Sequence, residues 1–224
     1  MEGQKIMQKS KIEWTDYSIN PIKGLCKNDC WYCYAKKMYK RFKWDENISF
    51  CPGVFNEVEK LKEPSKIFVG STHDIFGDWI CYTWIANIIK YCSDSPQHTF
   101  IFLTKNPSRY KEFIFPENCW LGTSIESNDN LGRLYDLVRS TREKNPTFVS
   151  FEPLLTEMRD IEYYQTELEF ISWAIIGGLT PKKQHKDIWA LNLIWYLRQF
   201  KIPIFLKDNL KWTEVIKEFP GVKI

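Results

Sequence analysis

Six short apolar runs, each closed by polar or turn residues, constrain the fold of this chain most strongly: 66–71 (KIFVGS), 99–104 (TFIFLT), 119–125 (CWLGTSI), 147–151 (TFVSF), 171–176 (ISWAII) and 202–206 (IPIFL). Their length and their β-branched and aromatic content predict buried strands. Segments with helical spacing lie between them. Cys81, Trp84, Ile85, Ile88 and Cys92 fall on one face, Leu131, Leu134, Tyr135 and Val138 on another, and Ile188, Leu191 and Trp195 begin a third stripe after a cap at Asp187. Strands that alternate with helices imply βαβ units with right-handed crossovers and a largely parallel sheet. At 224 residues the chain is shorter than an eight-unit barrel of about 250 residues. The expected fold is therefore α/β, a partial (β/α) barrel of about six or seven parallel strand–helix units. Residues 1–224 read as a single domain, since no internal repeat, low-complexity tract or long linker interrupts them.

In parallel α/β folds the functional site forms beyond the carboxyl ends of the strands. The strand exits here carry Ser71 to Asp74, Thr104-Lys105-Asn106, Ser124 to Glu126, Glu152 before Pro153, Gly177-Gly178, and Lys207-Asp208. Polar residues also collect at exits simply because exits meet water. Glu152 is the most suggestive acid, since it follows an apolar strand and precedes a proline.

Cys26, Cys30 and Cys33 place three thiols within eight residues, spaced C-x3-C-x2-C. Soft thiolates select zinc, Cu(I) or iron–sulfur clusters, and local sequence alone does not separate these. A structural zinc site wants four protein ligands, and the next candidates, Cys51 and His73, stand away from the triplet. A [4Fe–4S] cluster held by three cysteines keeps one iron open. Cys81, Cys92 and Cys119 lie in the apolar pattern and read as small core residues; Cys51 sits in a Cys-Pro-Gly loop and reads as an ordinary loop thiol.

The triplet, with aromatic Tyr32 immediately before its last cysteine, resembles the C-x3-C-x-aromatic-C motif of the radical SAM superfamily. Further segments, IEWTDYSINP, 71–76 (STHDIF), HTFIFLTKNPSRY, WLGTSIES, FVSFEPLL, WAIIGG and IPIFLKDNL, extend the resemblance over nearly the whole chain. They look like an uncharacterised phage- and prokaryote-associated branch similar to small radical SAM proteins of the spore photoproduct lyase type. The resemblance implies a [4Fe–4S] cluster on Cys26, Cys30 and Cys33, S-adenosylmethionine (SAM) chelated by the open iron, and reductive cleavage to methionine and a 5′-deoxyadenosyl radical. It also implies an electron donor such as flavodoxin or ferredoxin and, for some members, a three-Cys-motif partner protein. The cluster loop is expected to follow the first barrel strand and to lead into a helix with Tyr34, Met38 and Phe42 on one face. The glycine-glycine-glutamate signature common near the second strand is absent, and residues 71–74 take its place. Cofactor contacts are accordingly expected from Tyr32, Ser71, Asp74, Lys105, Ser124 and Glu126, and catalytic roles from Glu152 and Glu126.

Composition limits the partners. A net charge of +3, from 31 basic and 28 acidic side chains, does not announce a nucleic-acid or membrane partner. The resemblance to the spore photoproduct lyase type nonetheless implies a nucleic acid, or a base within one, as the leading candidate substrate; Lys36, Lys37, Lys40 and Arg41, which recur at helical spacing opposite Tyr34, Met38 and Phe42, could hold its phosphates, and a peptide or protein is the runner-up. No signal-peptide pattern and no apolar run of about 18 residues occurs, so a cytoplasmic protein without a membrane partner is expected. The competing reading is a zinc-stabilised nucleic-acid-binding module without catalysis, its fourth ligand drawn from Cys51 or His73.

Overall fold

The computed structural model describes residues 7–142, 144–180 and 185–221. Strand β1 (Met7–Lys9) pairs antiparallel with β2 (Tyr17–Ile19), and β3 (Ile22–Lys23) pairs antiparallel with β4 (Ser49–Phe50). Helix α1 (Tyr34–Phe42) falls between β3 and β4 in sequence, and the single turn α2 (Phe55–Val58) follows. Then come β5 (Lys66–Val69), α3 (Tyr82–Ser93), β6 (Thr99–Thr104), β7 (Cys119–Ser124), α4 (Gly132–Ser140), β8 (Thr147–Phe151), α5 (Gln165–Leu168), β9 (Trp173–Ile176), α6 (Asp187–Gln199) and β10 (Ile204–Leu206).

The strand order is β1-β2-β5-β6-β7-β8-β9-β10, and the seven strands from β2 to β10 run parallel. Each parallel strand is added next to the one before it, without the reversal of a doubly wound sheet. Right-handed crossovers repeated in one direction put the helices on one face and curl the sheet, which makes this an α/β partial barrel as expected. The outer edge of β2 is covered by β1, and that of β10 by the 216–218 segment, where Leu206 N–H donates to Ile216 and Glu218 N–H to Ile204.

By compactness the chain divides into residues 1–104 with 113–120, and residues 105–112 with 121–224. In the first unit Ile67, Val69, Phe100 and Phe102 of the sheet are buried, as are Ile85, Ile88, Ile89 and Cys92 along one face of α3. In the second every residue of β8, β9 and β10 is buried, and Leu134 and Leu137 of α4 and Ala190, Leu193 and Leu197 of α6 supply the covering layer. Among the described residues no helix is long and apolar enough to cross a membrane.

The strands match the apolar runs, whereas several helix faces differ from expectation. In α6 the stripe Ile188, Leu191 and Trp195 is exposed and Ala190, Leu193 and Leu197 face the core. Both sets obey the helical period, so spacing alone could not choose between them. The N-cap of α6 is Lys186, with Asp187 in the first turn. In α1 the buried residues are Ala35 and Tyr39, while Tyr34 and Phe42 are half exposed. In α4 Tyr135 is exposed beneath the Arg139 guanidinium. Cys81 is exposed at the N-cap of α3, whereas Cys92 and Cys119 are core residues as expected.

Candidate functional site

The cysteine loop runs from the end of β3 to the start of α1. It begins at Gly24, whose φ of +101° suits glycine and where an added Cβ would lie 2.5 Å from the carbonyl oxygen of Asn47. Both polar groups of Gly24 are held: its N–H donates to Tyr39 Oη at 2.8 Å, and its carbonyl oxygen lies 3.1 Å from His73 Nδ1. Trp79 Nε1–H donates to His73 Nε2 at 2.9 Å, so the imidazole carries its proton on Nδ1 and donates it to Gly24. Burial lowers the pKa of His73, against a smaller opposite pull from the Gly24 carbonyl and Asp74. At its other end the loop is tied to the helix, because Cys33 is the N-cap of α1 and its Sγ accepts from Lys36 N–H at 3.5 Å.

Cys26, Cys30 and Cys33 are free thiols, all partly exposed, and all line one pocket with Asn28, Tyr39 and Thr72. Burial pushes the Cys26 thiol up, against a smaller downward pull from the nearby main chain of Asp74 and Asn28.

This donor set fits a [4Fe–4S] cluster. Three thiolates line one pocket, the number of protein ligands that a [4Fe–4S] cluster with one open iron takes, whereas a structural zinc takes four. Neither proposed fourth zinc ligand lines the pocket, and both ring nitrogens of His73 are already engaged.

Asp74 joins the loop to two strand exits. Its Oδ2 accepts from Asn28 Nδ2 at 2.8 Å, and its Oδ1 from Thr104 Oγ1 at 2.6 Å and Phe76 N–H at 3.1 Å. Ser71 is anchored nearby: its hydroxyl donates to Asn20 Oδ1 at 3.2 Å and its carbonyl accepts from Tyr34 Oη at 2.5 Å. Tyr32 packs edge-on against Trp31, ring centroids 5.5 Å apart. In the first unit, therefore, Ser71 and Asp74 are tied by hydrogen bonds to the loop and the helix that carry the triplet and Tyr32.

The other expected site residues lie in the second unit, where they form two charge-compensated groups. Glu126, only 4% exposed, pairs with Lys105 and accepts from Arg133 Nη1 at 2.8 Å. The same Arg133 nitrogen donates to the Ser124 carbonyl at 2.7 Å. Glu152, joined to Pro153 by a cis peptide bond, pairs with Lys207 and accepts from Asn209 Nδ2 at 3.2 Å. The glycine pair after β9 makes room for this second group. A Cβ at Gly177 would sit 2.9 Å from Glu152 Cδ, and one at Gly178 would sit 2.7 Å from the Asn209 carbonyl oxygen. Asn28, Arg133 and Asn209 were not singled out from sequence. Thr104 and Lys207 were noted only as strand-exit residues.

A family model described as "Protein of unknown function (DUF5131)" matches residues 9–219. No curated protein matches the sequence. Among solved structures, a spore photoproduct lyase complexed with dinucleoside spore photoproduct superposes with a TM-score of 0.62 at 15% identity, covering 87% of this chain and 75% of that one. A single-residue variant of the lyase gives 0.63 at 13% identity, covering 91% and 79%. A double variant with bound AdoMet and dinucleoside spore photoproduct gives 0.56 at 12% identity, covering 87% and 75%. At these identities the likeness is one of fold.

Proposed function

We propose that this chain, which belongs to the DUF5131 family of proteins of unknown function, is a radical SAM enzyme. The observation that carries the reading is that Cys26, Cys30 and Cys33 line one and the same pocket, on a fold similar to that of a lyase whose structures include an AdoMet-bound form. In this reading Cys26, Cys30 and Cys33 would hold a [4Fe–4S] cluster beside SAM, and the pair would supply one-electron reductive cleavage of a carbon–sulfur bond of SAM.

The protein's own part is to bind, orient and exclude water. Asn28 and Asp74 hold the cysteine loop to the strand exits, and Gly24, Tyr39 and His73 fix where that loop begins. Tyr32 packs against the adenine and Ser71 offers its hydroxyl to the cofactor. Asp74 acts through Asn28, because its carboxylate already accepts three hydrogen bonds. Lys105 and Ser124 are assigned to SAM binding, and Glu126 to SAM binding and catalysis. Glu152 is a proton-handling residue whose carboxylate Lys207 and Asn209 hold in place.

The proposed substrate is a nucleic acid or a base within one, by analogy with the dinucleoside ligand of the lyase structures. The reading extends to one domain over residues 1–224, a cytoplasmic setting, a flavodoxin or ferredoxin as electron donor, a phage- and prokaryote-associated branch and a three-Cys-motif partner protein. The test is anaerobic reconstitution, reduction with SAM present, and an assay for 5′-deoxyadenosine. Iron and sulfide with 5′-deoxyadenosine formation are expected. Stoichiometric zinc without SAM affinity would establish the zinc-stabilised binding module instead.

A further inference from the structure

We propose that the phenolic O–H of Tyr39 donates a hydrogen bond to a sulfur of the cluster, thiolate or bridging sulfide, with the Thr72 hydroxyl as a second donor, and that the two raise its reduction potential. This deepens the radical SAM reading and rests on it.

Tyr39 is 5% exposed, and with Ala35 it is the buried side of α1. Its oxygen is already an acceptor, taking the Gly24 N–H at 2.8 Å. A phenol also has a proton to give. Among the described residues the one hydrogen-bond partner of this hydroxyl is Gly24, itself a donor, so the proton is left without an acceptor. Buried donors are rarely left so, because an unpaired one forfeits its hydration for nothing. The ring cannot swing away in search of a partner: it packs edge-on against Trp44 with centroids 5.3 Å apart, and its oxygen is pinned at Gly24. Rotation about the C–O bond is the freedom that remains.

The surroundings select sulfur as the acceptor. Tyr39 lines the same pocket as Cys26, Cys30 and Cys33, and Gly24, which its oxygen touches, is two residues before Cys26. The anionic groups of that pocket are the three thiolates and Asp29, and Asp29 is exposed and bridged to Lys36.

Thr72 reaches the pocket from the exit of β5. Its N–H donates to Asn20 Oδ1 at 3.0 Å, an oxygen shared with Ser71 Oγ at 3.2 Å, and the Ser71 carbonyl is held by Tyr34 Oη. The main chain at 71–72 is thus fixed from the exit of β2 and from α1, while the Thr72 hydroxyl takes no part in these bonds. Of the other side-chain donors in the lining, Asn28 is engaged with Asp74 and Lys36 with Asp29.

Reduction adds negative charge to a cluster and its sulfurs. A donor aimed at sulfur therefore stabilises the reduced form more than the oxidised one, and hydrogen bonds to the sulfurs are among the terms that set cluster potentials. The two hydroxyls would govern how readily the cluster takes its electron.

The test uses the reconstituted protein, with cluster content first verified by iron, sulfide and absorbance. A wild type that takes up no cluster fails the radical SAM reading itself, and this proposal with it. With cluster content matched, the potential is measured without SAM by dithionite titration followed by electron paramagnetic resonance. Tyr39→Phe and Thr72→Val are each expected to cut the ratio of reduced to oxidised cluster at a fixed potential about tenfold, a fall of about 59 mV for a one-electron couple. Thr72→Ser keeps the hydroxyl and should hold the wild-type potential. Replacement of Tyr39 by 3-fluorotyrosine makes a stronger donor that still accepts from Gly24, and should raise the potential; it also serves if Tyr39→Phe fails to take up a cluster. Electron–nuclear double resonance in heavy water should find one exchangeable proton fewer coupled to the reduced cluster in Tyr39→Phe and in Thr72→Val, a change that a purely structural role for either side chain would not produce. A wild-type potential in Tyr39→Phe at full cluster content, or no rise with 3-fluorotyrosine, would overturn the proposal. Equal falls in Thr72→Ser and Thr72→Val would remove Thr72 from it.

Discussion

The side-chain amide of Asn28 donates to the carboxylate of Asp74 at 2.8 Å, linking residues 46 positions apart and tying the cysteine loop to the exit of β5. Asp74→Ala also removes the acceptor of the hydrogen bonds from Thr104 Oγ1 and Phe76 N–H, and should cost roughly 2–3 kcal/mol, whereas Asn28→Ala should cost about 1 kcal/mol. A double-mutant cycle in urea should return a coupling of about 1 kcal/mol, and cluster loss to a chelator should quicken in both single variants. Strict additivity would mean that the contact holds nothing.

Replacing any one of Cys26, Cys30 or Cys33 by Ala should abolish iron retention and SAM cleavage, since a three-ligand site has no spare thiolate. Cys81→Ser should change neither stability nor iron content, because this thiol is exposed at a helix cap. Full iron loading in Cys30→Ala would sink the assignment.

SAM should raise the melting temperature of the reconstituted protein and leave the iron-free protein almost unmoved. A ligand stabilises by its affinity for the native state, and the open iron would supply two of the anchoring contacts. Equal shifts with and without iron would place SAM elsewhere.

Acid should weaken the fold through His73. Its folded pKa is lowered below the ordinary value of 6.5, chiefly by burial, so the unfolded chain binds the proton first. Stability from this group is complete above pH 6.5 and is lost as the pH falls toward the folded value. Denaturation midpoints between pH 5 and 7.5 should slope less in Trp79→Phe, which frees Nε2 for a proton, than in the wild type.

Glu126→Gln should destabilise by about 3 kcal/mol, because it leaves Lys105 and Arg133 facing a neutral partner in a largely buried setting. Adding Lys105→Met should restore part of that loss. A further loss on adding it would show that Lys105 is held by something other than the pair.

The parallel strands were legible because a covered strand must be apolar on both faces, and β8, β9 and β10 are buried at every residue. The strands β1 to β4 were not, since two or three residues carry no readable period. Helices were located more readily than oriented, as the two competing stripes of α6 show. The cysteines and the acids at strand exits stood out by residue type and position. Their partners did not. The hydroxyl of Thr104 reaches Asp74 across 30 residues and Lys207 reaches Glu152 across 55, and contacts of that span leave no local pattern. Glu126 and Lys105 were each selected as separate ligands, and that they neutralise one another appears only in three dimensions.

The way Gly24 is held has a consequence for how the protein would acquire its metal. Zinc fingers spend their metal-binding energy on folding, so the chain and its ion arrive at the native state together. Here the first residue of the loop is clasped on both sides, by Tyr39 Oη and by the His73 ring, and none of those contacts involves a thiol. The receiving frame would therefore stand before iron entered it. Stripping iron with a chelator should leave an apoprotein that accepts a preassembled cluster from a carrier without refolding, as an empty socket accepts a plug.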